Sequence, residues 1–158
     1  MSPVVRPVGP YDLEIVAALH GACFEDAWSV QAVAELMAMP GTFGLIAAVA
    51  SPAEPQPAGF LVARVAAEEC EILSIGVVPT HRRRGLARLL MDRATRSAAA
   101  EGAGHVFLEV AEDNWGAQRL YAVLGFAPVG RRRNYYRRGR VSIAALTLRR
   151  MLGAGGRA

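Results

Sequence analysis

The stretch EILSIGVVPTHRRRGLARLL, positions 71–90, restricts the fold of this chain more than any other segment. An apolar run with the length and composition of a strand stops at Pro79-Thr80. Leu86, Leu89, Leu90 and Ala94 then recur at the spacing of one helix face. A strand that passes through a short arginine-glycine turn into a helix is a β-α unit, and it calls for a sheet with a helix packed on it. Gly85 at the junction lets a ligand come close to the backbone, and the first free N–H groups of the helix point outward there. An anion such as phosphate suits that spot, because the helix dipole and the guanidinium groups of Arg82, Arg83 and Arg84 all favour it. The alternative is a solvated charge run capping a helix, and spacing alone leaves both open. A phosphate loop of the GxxxxGK[ST] type is excluded because the chain has no lysine, and one glycine in the turn is too few for a dinucleotide fingerprint.

Similar patterning extends along the whole chain. Strands are expected at residues 4–8, 43–50, 60–67, 71–78, 105–111 and 141–148, the third and fourth forming a hairpin. Helices are expected at residues 11–24, from the cap Ser29 to about Met39, from Gly85 to near Gly102, and from Asn114 to Gly125. The Pro-rich SPAEPQPAG segment is a loop, and there are no repeats. The order β-α-α-β-β-β-α-β-α-β describes one mixed α/β domain over residues 1–152, with 153–158 as a frayed tail.

Hydrophobic residues make up 53% and charged residues 20% of the 158, a globular composition with no apolar run long enough for a membrane span and no signal-like leader. Cys23 and Cys70 have no metal-like spacing, so no metal is expected, and a reducing cytoplasm is the simple reading. The net charge of +4 conceals an asymmetry. Up to Asp113 there are 8 basic and 14 acidic residues, a net −6; beyond it are ten arginines and no acid, a net +10. A one-signed region of this kind attracts anions.

The hexapeptide RRRGLA fits the [QR]-x-x-G-x-[GA] loop of the GNAT acyltransferase superfamily, with Arg82, Gly85 and Ala87 in the defining places. FLEVAEDNWGAQRLYAVLGF, positions 107–126, resembles the second motif of that superfamily, a strand and then a helix ending in LYxxxGF. ACFEDAWS at 22–29 and RRRNYYRRGR at 131–140 resemble segments of the RimI branch, which acetylates the N-terminal alanine of a small-subunit ribosomal protein. The resemblance implies a single GNAT-type domain with a mixed, mostly antiparallel sheet flanked by about four helices. It implies an acetyl-coenzyme A-dependent N-acetyltransferase with a free protein N-terminus as acceptor, and neither a membrane nor nucleic acid as a direct partner.

By the same resemblance, backbone groups of Ile75, Gly76 and Val77 hold the pantetheine arm, which carries two amides and pairs like an added strand. Arg82, Arg83, Arg84, Gly85, Leu86, Ala87 and Arg88 form the loop and first turn beneath the pyrophosphate, binding through amides more than side chains. Glu109 is the general base through water, or else a solvent-facing strand glutamate, since Leu108 and Val110 point the other way. Tyr121 is the general acid for the departing thiolate, or else a helix-face aromatic in the core. Asn114 bonds the cofactor or caps its helix. Tyr135 and Tyr136 shape the peptide site. His81 and His105 are structural, and Cys23 and Cys70 are ordinary thiols. RimI proteins carry an acid-containing GREDA-like segment after the tyrosines where this chain has GRVSIAAL, so acceptor preference stays open, with lysine side chains or small amines as alternatives. A ribosome- or RNA-binding module using the arginine-tyrosine strip is the reading from a different class.

Overall fold

In a computed structural model, residues 2–153 are described; the expected tail lies outside them from residue 154 onward. The elements are β1 (Val4–Pro7), α1 (Leu13–Cys23), α2 (Val30–Ala38), β2 (Thr42–Val49), β3 (Gln56–Ala66), β4 (Glu69–Val77), α3 (Leu86–Ala100), β5 (His105–Ala111), α4 (Trp115–Val123), β6 (Ala127–Arg138) and β7 (Val141–Met151). They build one seven-stranded sheet in the order β1-β2-β3-β4-β5-β7-β6. Only the β4–β5 pair is parallel, as expected of strands joined by a helical crossover.

Helices cover both faces. Leu86, Leu90, Met91, Ala94 and Ala98 of α3 pack with Tyr121 of α4 and Leu124, which caps it, on the face formed by Leu61, Cys70, Ile72, Val106, Leu108 and Val110. Val16, Leu19 and Val33 of α1 and α2 cover Ile46, Phe60 and Val62 on the other face. Ser29 caps α2, its hydroxyl accepting the Ala32 amide at 3.0 Å. No helix among the described residues is long and apolar enough to cross a membrane.

Two departures from the sequence reading are informative. Residues 127–138 form a strand, β6, where none was expected. Gly130 and the run of arginines hide the alternation, because β6 is an edge strand whose residues are nearly all exposed and owe their conformation to pairing with β7. The loop after β2 is also shorter than SPAEPQPAG suggested. β3 begins at Gln56 and takes Pro57 into its ladder opposite Ala48, beside a register shift at Ala47/Ala48.

Candidate active site

The sheet divides at its centre. β4 and β5 are in register only through Glu69–His105, Cys70–Val106 and Glu71–Phe107. Beyond that point β4 stays paired to β3 as far as Val77–Gly59, and β5 stays paired to β7 as far as Ala111–Ala145. The two halves therefore open into a fork, and the inner edge of β4 past Glu71 is not paired with β5. A second irregularity coincides with it: the register between β3 and β4 shifts between Val62–Ser74 and Ala63–Ile72, so β4 carries an extra residue there. Ile75, Gly76 and Val77 lie along the open arm. The smallness of Gly76 has its own cause, since a Cβ there would stand 2.9 Å from both Cys23 Sγ and Phe60 Cε1. The end of α1 is thus pressed against the fork.

At the mouth of the fork, a 3₁₀ turn at Pro79–His81 leads into α3. Gly85 is the cap residue at φ +81° and Arg83 lies at φ +63°, so two residues of the turn adopt the left-handed conformation. The first bond of the helix runs from Leu89 N–H to Gly85 O, leaving the amides of Leu86, Ala87 and Arg88 without an acceptor inside the helix. A Cβ at Gly85 would meet nothing within 4 Å, so the approach to these amides is open. Unspent amides, a left-handed turn and the exposed Arg83, Arg84 and Arg88 together fit a pyrophosphate, and the free β4 edge fits an amide-bearing arm. Arg82 behaves differently: its Nε donates to Val77 O at 2.8 Å, and its guanidinium offsets part of the burial that pushes up the Cys23 thiol. Its side chain ties the turn back to β4.

The two residues with candidate acid-base roles sit on different elements beyond the fork. Glu109 is on the face of β5 opposite Leu108 and Val110, and its side chain is 15% exposed. Oε1 faces Arg132 Nη2 at 3.3 Å, while Oε2 is buried without a partner. Tyr121 on α4 is 8% exposed, and burial with a further contribution from Tyr136 pushes its phenol up to about 12. It therefore holds its proton throughout the physiological range. Contacts run from Glu109 along β6: Glu109 to Arg132, Arg132 over the Tyr135 ring at 5.2 Å, and Tyr135 edge-on to Tyr136 at 5.0 Å, with Tyr136 acting on Tyr121 only electrostatically. Both β6 tyrosines expected at the peptide site belong to this run.

Asn114 caps α4, its Oδ1 accepting the Ala117 amide at 3.2 Å, which leaves the amide nitrogen as its remaining polar group. His81, in the turn at the fork's mouth, meets Thr80 Oγ1 at 2.9 Å, and His105 lies 3.5 Å from Glu69 at the paired base of the fork. Three contributors escaped the sequence reading. Gln118 Nε2 donates to Ala111 O at 3.2 Å and Glu112 O at 2.8 Å, fixing α4 on β5. Arg131 grips Glu112 with two nitrogens, pinning β6 to the end of β5. Glu71 shares the face of Glu109 at the base of the fork, and only the strand register reveals it. Among the described residues, no group of three or more His, Cys, Asp or Glu side chains is arranged to hold a metal ion.

A family model described as the acetyltransferase (GNAT) family matches residues 13–126. The ribosomal protein bS18-alanine N-acetyltransferase of Salmonella typhimurium is 36% identical over 84 residues, 53% of this chain and 57% of that protein. N-alpha-acetyltransferase RimI of Mycobacterium tuberculosis is 44% identical over 86 residues, 54% of this chain and 51% of that protein. The chain spans about half the length of the curated relatives it matches. In structure it is similar to the ribosomal-protein-S18-alanine N-acetyltransferase of Escherichia coli, with a TM-score of 0.83 over 97% of each chain at 23% identity, a likeness of fold.

Proposed function

This chain belongs to the acetyltransferase (GNAT) family, and from that premise we propose that it acetylates the α-amine of a protein N-terminus beginning with alanine, in the cytoplasm, with a ribosomal protein as acceptor. Acetyl-coenzyme A supplies an acetyl thioester open to attack by an amine. The observation that carries the reading is the run of contacts from Glu109 through Arg132 and Tyr135 to Tyr136, which sets a tyrosine-lined surface beside the β5 carboxylate at the fork, with Tyr136 acting electrostatically on the protonated phenol of Tyr121.

The roles follow from the chemistry of each group. The open β4 edge at Ile75–Val77 binds the pantetheine amides, and the amides of Leu86, Ala87 and Arg88 bind the pyrophosphate, with Arg83, Arg84 and Arg88 adding charge. Asn114 lends its amide nitrogen while its oxygen caps α4. Glu109 accepts the proton that an α-ammonium must lose before nitrogen can attack, and an amine with a pKa of about 8 makes that transfer a small step near neutrality. Tyr121 donates a proton to the departing sulfur. Tyr135 and Tyr136 form the wall against which the first acceptor residue rests, favouring a small one.

A panel of acceptors tests this: a free Ala-Arg peptide, the same peptide with a blocked N-terminus and an internal lysine, and small amines. Rapid transfer to the free Ala-Arg peptide is expected. Preference for the blocked lysine peptide or a small amine overturns the reading.

A further inference from the structure

Helix α4 has two sides, and the candidate active site uses only one. Ala117, Leu120 and Tyr121 pack into the core. Trp115, Arg119, Ala122 and Val123 lie on the opposite side at the spacing of helical neighbours, and all are exposed, Trp115 at 69% and Val123 at 68%. Between that side and the sheet runs a groove of about 480 Å³, floored by Phe126, Leu146 and Leu148 and bounded on the strand side by Pro128 of β6. Leu146 and Leu148 pair with Val110 and Leu108 of β5, so they point to the α4 side and away from the face that carries Glu109. No residue assigned to the reaction lines this groove.

Charge is arranged around the apolar floor. Arg119 stands on the helix wall. Arg150 pairs with Val106, which turns it to the same face, and its side chain passes Gly125 next to Phe126, with Cδ and Nε 3.6 Å from where a Cβ would stand. Among the described residues no carboxylate pairs with Arg119 or Arg150. Arg131, opposite Leu146, is already held by Glu112, and the sequence has no acid beyond Asp113 to supply the other two.

An exposed tryptophan beside an apolar floor, with arginines at the rim, has the composition of an interface, where Trp and Arg contribute most to affinity. Nucleic acid fits it poorly, because bases stack on aromatic faces and the floor is largely aliphatic. A second copy paired along the β6 edge sets Arg131, Arg132 and Arg133 against their own counterparts. An acidic protein segment suits both the floor and the rim.

We infer that the groove between α4 and β7 docks an acidic amphipathic helix of another protein, its apolar anchors on Phe126, Leu146 and Leu148 and its carboxylates on Arg119 and Arg150. The surface stands apart from the proposed function, and its test needs no acetyl transfer.

The probe is a helix-forming peptide with Leu at i, i+3, i+4 and i+7, Glu at the remaining positions and a blocked N-terminus, which keeps it from serving as an acceptor. Trp115 reports on it directly, and its emission is expected to move to shorter wavelength as the peptide covers the ring. In Trp115→Phe, where Trp28 is the remaining tryptophan, no shift is expected. Arg119→Glu is expected to weaken binding at least about tenfold, the worth of one charge-assisted hydrogen bond. Exchanging the peptide's glutamates for lysines is expected to do the same, and exchanging its leucines for serines to abolish binding. Arg119→Gln, expected to lose less than Arg119→Glu, serves as the second variant. Trp115 emission unmoved by the acidic peptide, equal binding of the lysine peptide, or unchanged affinity in both Arg119 variants overturns the inference. Poly(U) that displaces the peptide and binds more tightly overturns it in favour of nucleic acid. A concentration-dependent dimer in sedimentation that Arg119→Glu disperses overturns it in favour of a second copy.

Discussion

Substitution at Gly85 separates two consequences that are easily confused, strain in the turn and loss of an anion site. Gly85 sits at φ +81°, and a side chain there meets nothing within 4 Å, so Gly85→Ala suffers no clash and only the left-handed penalty. That penalty is about 1–2 kcal/mol, which for a chain of this size lowers Tm by roughly 3–6 °C. Gly102, beyond the other end of α3, has φ +92° and equally open surroundings, so Gly102→Ala should cost the same. The two variants differ only in what the new methyl group faces. At Gly85 it enters the open space before the unspent amides of Leu86, Ala87 and Arg88; at Gly102 it faces no proposed ligand. Wild type at acetyl-coenzyme A a hundredfold above Kd gains about 2.7 kcal/mol of stability by mass action. Thermal melts with and without acetyl-coenzyme A should show that gain retained in Gly102→Ala, reduced in Gly85→Ala and nearly abolished in Gly85→Val. If Gly85→Val keeps the full ligand-induced shift, the amides at the start of α3 do not hold the pyrophosphate. If Gly85→Ala melts with wild type, the left-handed turn itself is misassigned.

Other expectations concern single groups. Tyr121→Phe preserves the ring packed against Phe126 at 5.9 Å and removes the proton donor, so kcat should fall about 10²-fold while acetyl-coenzyme A affinity stays near that of wild type; equal kcat returns Tyr121 to a packing role. Burial holds the His20 imidazole below its ordinary 6.5, and its Nδ1 accepts the Trp28 amide at 3.0 Å. The unfolded chain therefore takes up the proton first, and stability should fall as pH drops from about 6.5 toward the depressed native value, then level off. Urea midpoints between pH 7.5 and 5 (~0.5 steps) should show this component in wild type and lack it in His20→Asn, and an identical pH slope in both contradicts the assignment. Arg82→Gln should destabilise the turn by about 1 kcal/mol through the lost bond to Val77 O, with acetyl-coenzyme A binding weakened less than in Gly85→Val.

What the sequence revealed was whatever is encoded locally. The strand-turn-helix junction, the Ser29 and Asn114 caps and the placement of Glu109 on the polar face of its strand all depend on spacing over a few residues, and the structure agrees with each. The four helices around one sheet followed from the same periodicities, and the mixed character of that sheet from the resemblance to the GNAT superfamily. Features set by distant pairing stayed hidden. β6 has no alternating pattern of its own and is a strand because β7 lies beside it. The fork depends on where β4 and β5 cease to be neighbours, and these strands are separated by all of α3. Glu71 begins an apolar run in the sequence, and its place at the base of the fork is set only by pairing with Phe107 of β5. Arg82 was grouped with its neighbours as a loop arginine, whereas its hydrogen bond to Val77 O makes it an anchor of the turn.

In the proposed reaction an α-amine, at the fork between β4 and β5, receives the acetyl group. One peptide beginning Ala-Arg and carrying an internal lysine tests it directly, with acetyl-coenzyme A at pH 7 and fragment-ion mass spectrometry to locate the label. A lysine ε-amine titrates near 10.4 and an α-amine near 8, so the neutral fraction favours the N-terminus by ~250-fold, about 3 kcal/mol. Nα-acetylation is expected to exceed Nε-acetylation by at least about a hundredfold on that basis, with total activity falling in Glu109→Gln. Label on the lysine at comparable or greater yield contradicts it.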